Sequence, residues 1–182
     1  MENKKAADVC TQFYPGDGAK KLLGPDLSVD QYVKLLVQKK EYVDAIRVLA
    51  YALPKLQAIA WANTCAQQFS GPQPSDKSKA AIAAVSKWLA EPTDENRRAA
   101  KKAAEAAEFN TPAGSSALAV FLSGGSIAPA DMPLVEAQET MMPNSVFNAV
   151  MLAALSQEPE KAEEKYKHFI AEGQKLAASP KS

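Results

Sequence analysis

The chain has 182 residues, with 21 Lys+Arg against 21 Asp+Glu and no formal net charge. That length fits one domain with its own core, and the charge balance excludes a globally basic nucleic-acid binder or an acidic tail protein. Hydrophobic residues make up 47% and charged residues 23%, and 34 alanines tilt the composition towards an all-α fold, because alanine is the strongest helix former.

Residues 1–27 read as an irregular N-terminal segment. Pro15, Gly16, Gly18, Gly24 and Pro25 punctuate it and leave room only for a short helix around 19–23. Asp8, Gln12 and Asp17 interrupt any signal-like apolar run, and the longest nearly uncharged stretch, 145–155, is far below the ~20 residues of a membrane span. Two cysteines are too few for a disulfide framework. A cytoplasmic protein without membrane insertion is the expectation.

The helical domain is predicted over 28–178. Ser28 and Gln31 have capping-box spacing, and Val29, Tyr32, Val33, Leu36 and Val37 follow as one stripe. A second helix over about 41–53 and a third from Pro54 to about 69 are apolar on nearly all sides, which places both at the centre. Ser75 caps a fourth helix with Ala81, Val85 and Trp88 inward. Thr93 caps a fifth, whose Ala99, Ala100, Ala103, Ala104 and Ala107 make a face nearly free of side chains. Thr111-Pro112 opens a sixth, ended by Gly124-Gly125. Residues 126–143, with Pro129, Pro133 and Pro143, form the longest irregular stretch. Two last helices cover about 144–156 and 160–178, and 179–182 is a frayed tail. No strand pattern is present. Tyr42, Ala45, Leu49 and Ala52 match the second helix of a tetratricopeptide unit, but Asp76, Lys79, Ala83 and Ser86, one repeat length on, do not. The fold class is therefore a single-domain all-α bundle or short solenoid of about seven or eight helices in antiparallel hairpins.

Reactive constellations are scarce in the sequence. Cys10, Cys65 and His168 share no metal-ligand spacing, so neither a metal nor a cofactor is expected. His168 lies off the apolar stripe of its helix and reads as solvated. Cys65, one turn after Trp61, reads as core, and Cys10 as a thiol in a loose segment open to incidental oxidation. The run from Gly16 to Lys21 lacks the phosphate-loop pattern. Glu158, Glu160, Glu163 and Glu164 suit the positive end of the last helix.

Two features point to a partner. Arg97, Arg98, Lys101 and Lys102 form the one concentrated basic patch, although Asp94 and Glu105 stand one turn from Arg98 and Lys101. No interleaved aromatic equips the patch for bases; its readings, in falling order, are a solvated helix face, a grip on an acidic protein and, last, a nucleic-acid contact. The 126–143 stretch carries Ile127, Met132, Leu134, Val135, Met141 and Met142. If exposed, such a cluster marks a binding surface; otherwise the stretch lies across the bundle and buries it.

The run Asp44-Ala45-Ile46-Arg47-Val48-Leu49-Ala50-Tyr51-Ala52-Leu53-Pro54-Lys55, then Trp61-Ala62 and Cys65-Ala66, resembles an uncharacterised family of small bacterial all-helical proteins. Further matches are Trp88-Leu89, the run from Pro92 to Ala100, Phe109-Asn110-Thr111-Pro112 and the run from Ser123 to Pro129. The resemblance spans about 28–178 and departs from the family pattern at 56–60. It implies no activity; it does imply an accessory role beside bacterial type VI secretion genes. The expected function is a non-catalytic protein-interaction module, an adaptor, chaperone or accessory protein. Its candidate partner-binding residues are Arg97, Arg98, Lys101, Lys102, Met132, Met141 and Met142. Another protein is the expected partner, and self-association stays open. The alternatives are a small-ligand-binding bundle with a cavity lined by Tyr51, Trp61 and Trp88, and an enzyme with a carboxylate site that no motif reveals.

Overall fold

The computed structural model describes residues 4–69, 71, 73–129 and 131–178. The helices are α1 (Ala6–Cys10), α2 (Asp17–Leu22), α3 (Val29–Gln38), α4 (Tyr42–Ala52), α5 (Lys55–Phe69), α6 (Asp76–Ala90), α7 (Asp94–Ala107), α8 (Pro112–Phe121), α9 (Met141–Leu155) and α10 (Ala162–Ala178). Among the described residues there is no strand, only isolated bridges between Lys5 and Ser28 and between Ser126 and Glu136.

Local chemistry sets the helix starts. At α3 the Ser28 hydroxyl accepts from the Gln31 backbone N–H, and the Gln31 side chain returns to the Ser28 N–H at 2.9 Å. Ser75, Thr93 and Thr111 each accept a backbone N–H three residues on, satisfying donors that have no partner inside the helix. The end of α3 is less ordinary. Glu41 N–H bonds to Leu36 O and Lys40 N–H to Val37 O, a Schellman closure in which Lys40, not glycine, takes φ +63°.

α5 packs against α6, α8, α9 and α10, while α4 packs against α1, α3, α9 and α10. The C-terminal helices thus fold back over the N-terminal half and close the bundle; a solenoid would leave each unit touching only its neighbours. The core centres on Ile46, Leu49, Ile59, Trp61, Phe169 and Ile170, all nearly inaccessible. On α7 the small-residue face is used for packing, since Ala100, Ala104 and Ala107 are buried. The α7–α8 link is tight enough that a Cβ on Gly114 would run into the Glu108 carbonyl.

The N-terminal segment differs from the irregular stretch expected. α1 and α2 are helical, and Ala6, Val9, Cys10 and Ala19 are buried in the common core. Ala6 N–H donates to Leu27 O at 2.9 Å, Tyr32 OH to Ala19 O at 2.7 Å, and Gly16 N–H to Asp44 Oδ1 at 3.1 Å. Helices of five and six residues are unstable alone. These long-range contacts hold them, which is why periodicity could not reveal α1. α9 begins at Met141, not near 144, because Pro143 falls in the first turn, where a missing N–H interrupts no intrahelical bond. A 3-10 turn, Pro159–Lys161, leads into α10. The tail at 179–182 lies outside the described residues.

Candidate functional site

Between α8 and α9 runs an extended connection, 122–140, termed the strap below. Gly125 has φ +67°, which suits glycine as the chain leaves α8. Arg97, from the first turn of α7, holds the near end of the strap. Its Nη1 donates to Phe121 O at 2.7 Å and its Nη2 to Ser126 O at 2.9 Å, while Nε and Nη2 reach Asp94 Oδ1 at 2.8 and 2.6 Å. Arg98 donates to Ala128 O at 3.1 Å and to Asp94 Oδ2 at 2.8 Å. Ser126 Oγ then accepts from Ala128 and Val135 N–H, and Ile127 N–H donates to Val135 O at 2.7 Å, tying residues 126–128 to 135.

This changes the meaning of the basic patch. Arg97 is 4% exposed and bonded throughout, so it is a structural group and not a docking cation. The Arg98 and Arg97 guanidinium groups hold the Asp94 carboxyl below the usual carboxylate range. Lys101 pairs with Glu105 at 3.6 Å and lies over the Phe121 ring. Of the four residues, Lys102 alone is exposed and without an ion pair among the described residues. Sequence spacing located the i,i+4 pairs correctly but could not show backbone carbonyls arriving from α8 and the strap.

The apolar side chains of the strap face outward. Met132, Leu134 and Val135 are 58%, 69% and 49% exposed, and Met141, the first residue of α9, is 38% exposed. Met142 instead packs on the core, and Ile127 is partly covered. Asp131, Glu136 and Glu139 are exposed among them, and residues 126–143 contain no Lys or Arg. The result is a loop, bonded at 126–128 and 135, that presents apolar side chains beside exposed carboxylates. At its foot Lys55, Ser123, Gly124 and Gly125 line two neighbouring clefts, of about 340 and 250 Å³.

Elsewhere the reactive side chains are occupied or muted. Cys10 is not in a loose segment: it is buried, and desolvation together with the nearby Asp44 carboxylate pushes its thiol up to about 11. Cys65 is fully buried, and burial followed by the Glu172 charge raises its thiol as well. Exposed His168 meets Gln68 Oε1 at 3.0 Å and Glu172 at 3.4 Å. Trp61 Nε1 donates to Phe169 O and Tyr51 OH to Asn144 Oδ1, so both are packing groups. Trp88 edges the smaller cleft at the strap foot. A cleft of about 720 Å³ is lined by Cys10, Phe13, Tyr14, Asp17 and Lys20, a set that includes none of those three aromatics. Among the described residues no group of three or more His, Cys, Asp or Glu is placed to hold a metal, and no helix is long and apolar enough to cross a membrane.

Sequence reasoning passed over one residue. Arg47 sits inside α4, which is apolar on nearly every side, and that contrast was the available signal.

Fold and surface together define an all-helical bundle carrying a pinned, outward-facing strap. The model of a family of unknown function (DUF6931) matches residues 32–177, and the chain belongs to that family. No curated protein and no solved structure matches it.

Proposed function

We propose that this protein is a non-catalytic interaction module, an adaptor or accessory protein. The strap docks an apolar segment of another protein flanked by Lys or Arg. The carrying observation is the exposure of Met132, Leu134 and Val135 on a loop that Arg97, Arg98 and Ser126 tie down at 126, 128 and 135. A preordered loop loses little conformational entropy on binding, and exposed Met and Leu accommodate irregular apolar partners. The rim charge of Asp131, Glu136 and Glu139 favours a basic partner, reversing the polarity that the α7 patch suggested. The proposed setting, a bacterial cytoplasm and a type VI secretion locus, rests on the resemblance of the Asp44–Lys55 run and its companion motifs.

The test places a photo-crosslinking amino acid at position 132 in cells that make the protein and maps the adduct by mass spectrometry. Support is an adduct on a Lys/Arg-flanked apolar segment that disappears in Leu134→Asp and weakens with salt. Capture that is unchanged by Leu134→Asp, or that maps to an acidic segment, overturns the proposal. Met142→Asp is unsuitable, because Met142 packs on the core and its loss would report stability.

A further inference from the structure

Arg47 projects from α4 between two aromatic rings, with its guanidinium carbon 4.3 Å from the Phe147 centroid and 5.9 Å from that of Phe13. Nε is buried without a hydrogen-bond partner, and among the described residues no carboxylate pairs with this cation. Nε is the only guanidinium nitrogen both buried and unpartnered, so the terminal nitrogens carry open donors to the surface. A partly buried arginine without a counter-charge is costly unless something supplies acceptors.

The surroundings supply a second donor. Tyr51, one turn after Arg47, donates to Asn144 Oδ1 at 2.7 Å, and its ring lies 4.9 Å from that of Phe13. That bond orients the exposed Asn144 amide and leaves its N–H₂ without a protein acceptor among the described residues. Asn144 and Phe147 are one turn apart on α9, as Arg47 and Tyr51 are on α4, so the Arg47–Phe147 contact and the Tyr51–Asn144 bond fall on adjacent turns of the α4–α9 seam.

We propose that Arg47 and Asn144 form a binding site for a monocarboxylate whose apolar part lies against Phe13 and Phe147. A guanidinium fork matches the two oxygens of a carboxylate. One fixed cation among neutral rings balances a monoanion, whereas a phosphate carries nearly two charges. The carboxylate belongs either to a free aromatic acid or to a peptide C-terminus.

Side-chain-selective NMR of the Arg47 Nε–H, assigned by its loss in Arg47→Lys, tests this with benzoate, N-acetylphenylalanine, N-acetylphenylalaninamide and inorganic phosphate. The expected result is a saturable shift with one or both acids and none with the amide; the tighter acid names the source. Asn144→Ala weakens binding about tenfold, the value of one charge-assisted bond, while Tyr51→Phe, which breaks the same Tyr51–Asn144 bond but keeps the amide, weakens it less. Arg47→Lys abolishes binding as read from the Phe147 ring signals. Leu134→Asp leaves binding unchanged, which separates this site from the strap. Absence of saturation, an equal response to the amide, tighter binding of phosphate, or no effect of Asn144→Ala overturns the proposal. If Arg47→Lys fails to fold, Asn144→Ala decides.

Discussion

Replacing Arg97 with alanine distinguishes a buried clamp from a solvated helix face. Two of its bonds go to backbone carbonyls, Phe121 O at 2.7 Å in a buried setting and Ser126 O at 2.9 Å in a part-buried one. A hydrogen bond to a charged group contributes about 1.5–3 kcal/mol, and truncation leaves the Phe121 carbonyl buried and unsatisfied. The Asp94 pair is discounted, since the Asp94 side chain is 61% exposed. The sum is about 3–5 kcal/mol, a large share of the 5–15 kcal/mol typical of a domain. Urea denaturation reads the loss as a lower midpoint at constant m-value. Native-state hydrogen exchange adds a local readout, because the Ile127 and Val135 amides bond inside the loop that Arg97 holds. Their protection falls more than that of the α5 core amides. Arg97→Lys keeps a charge but cannot fork between two carbonyls, and loses about 2 kcal/mol. Lys102→Ala, at the exposed position, stays within about 0.5 kcal/mol. An Arg97→Ala variant no less stable than Lys102→Ala, with Ile127 and Val135 still protected, would refute the clamp.

The remaining expectations test other parts of the molecule. The folded-state pKa of Asp94 is depressed, so its stabilising contribution is present above the unfolded aspartate value and lost as pH falls through the lower folded value. Accordingly, the urea midpoints of wild type and Asp94→Asn converge as the medium is acidified, and a gap that widens below pH 4 contradicts this. Cys10, raised to about 11, and the buried Cys65 are both protonated at neutral pH. Native protein at pH 8 therefore reacts with a thiol-exchange dye far more slowly than urea-unfolded protein, and a thiol titrating within the mixing time counts against the burial of Cys10. Lys40→Gly removes the left-handed strain at the end of α3 and raises stability by about 1 kcal/mol in thermal melts, provided the Glu41–Leu36 bond persists. Gly114→Ala drives a methyl into the Glu108 carbonyl and destabilises by about 3 kcal/mol, read as a lower melting temperature.

Much of the fold was legible in short windows of sequence. Ser28, Ser75, Thr93 and Thr111 cap helices because each hydroxyl bonds an amide three residues away, and nothing distant is needed. The all-round apolar character of α4 and α5 likewise announced their central position. Less was legible about the candidate site. The composition of 126–143 marked Met132 and Met141 as candidates, but it left open whether they faced inward or outward.

What sequence determined by itself, then, was helix class, most helix limits and the apolar faces, since hydrogen bonds and side-chain neighbours within a helix span three or four residues. Tertiary structure decided which charges are surface and which are internal. Arg97 and Lys102 belong to one short run of cations, and although Arg97 shares the stripe of Ala100, Ala104 and Ala107, only the fold shows it enclosed by carbonyls 24 and 29 residues further along the chain while Lys102 remains in water. The same holds for α1, for Cys10 and for Arg47 between Phe13 and Phe147. The free energy of a charge or a short helix depends on which distant groups displace its water, and that is settled only when the bundle closes.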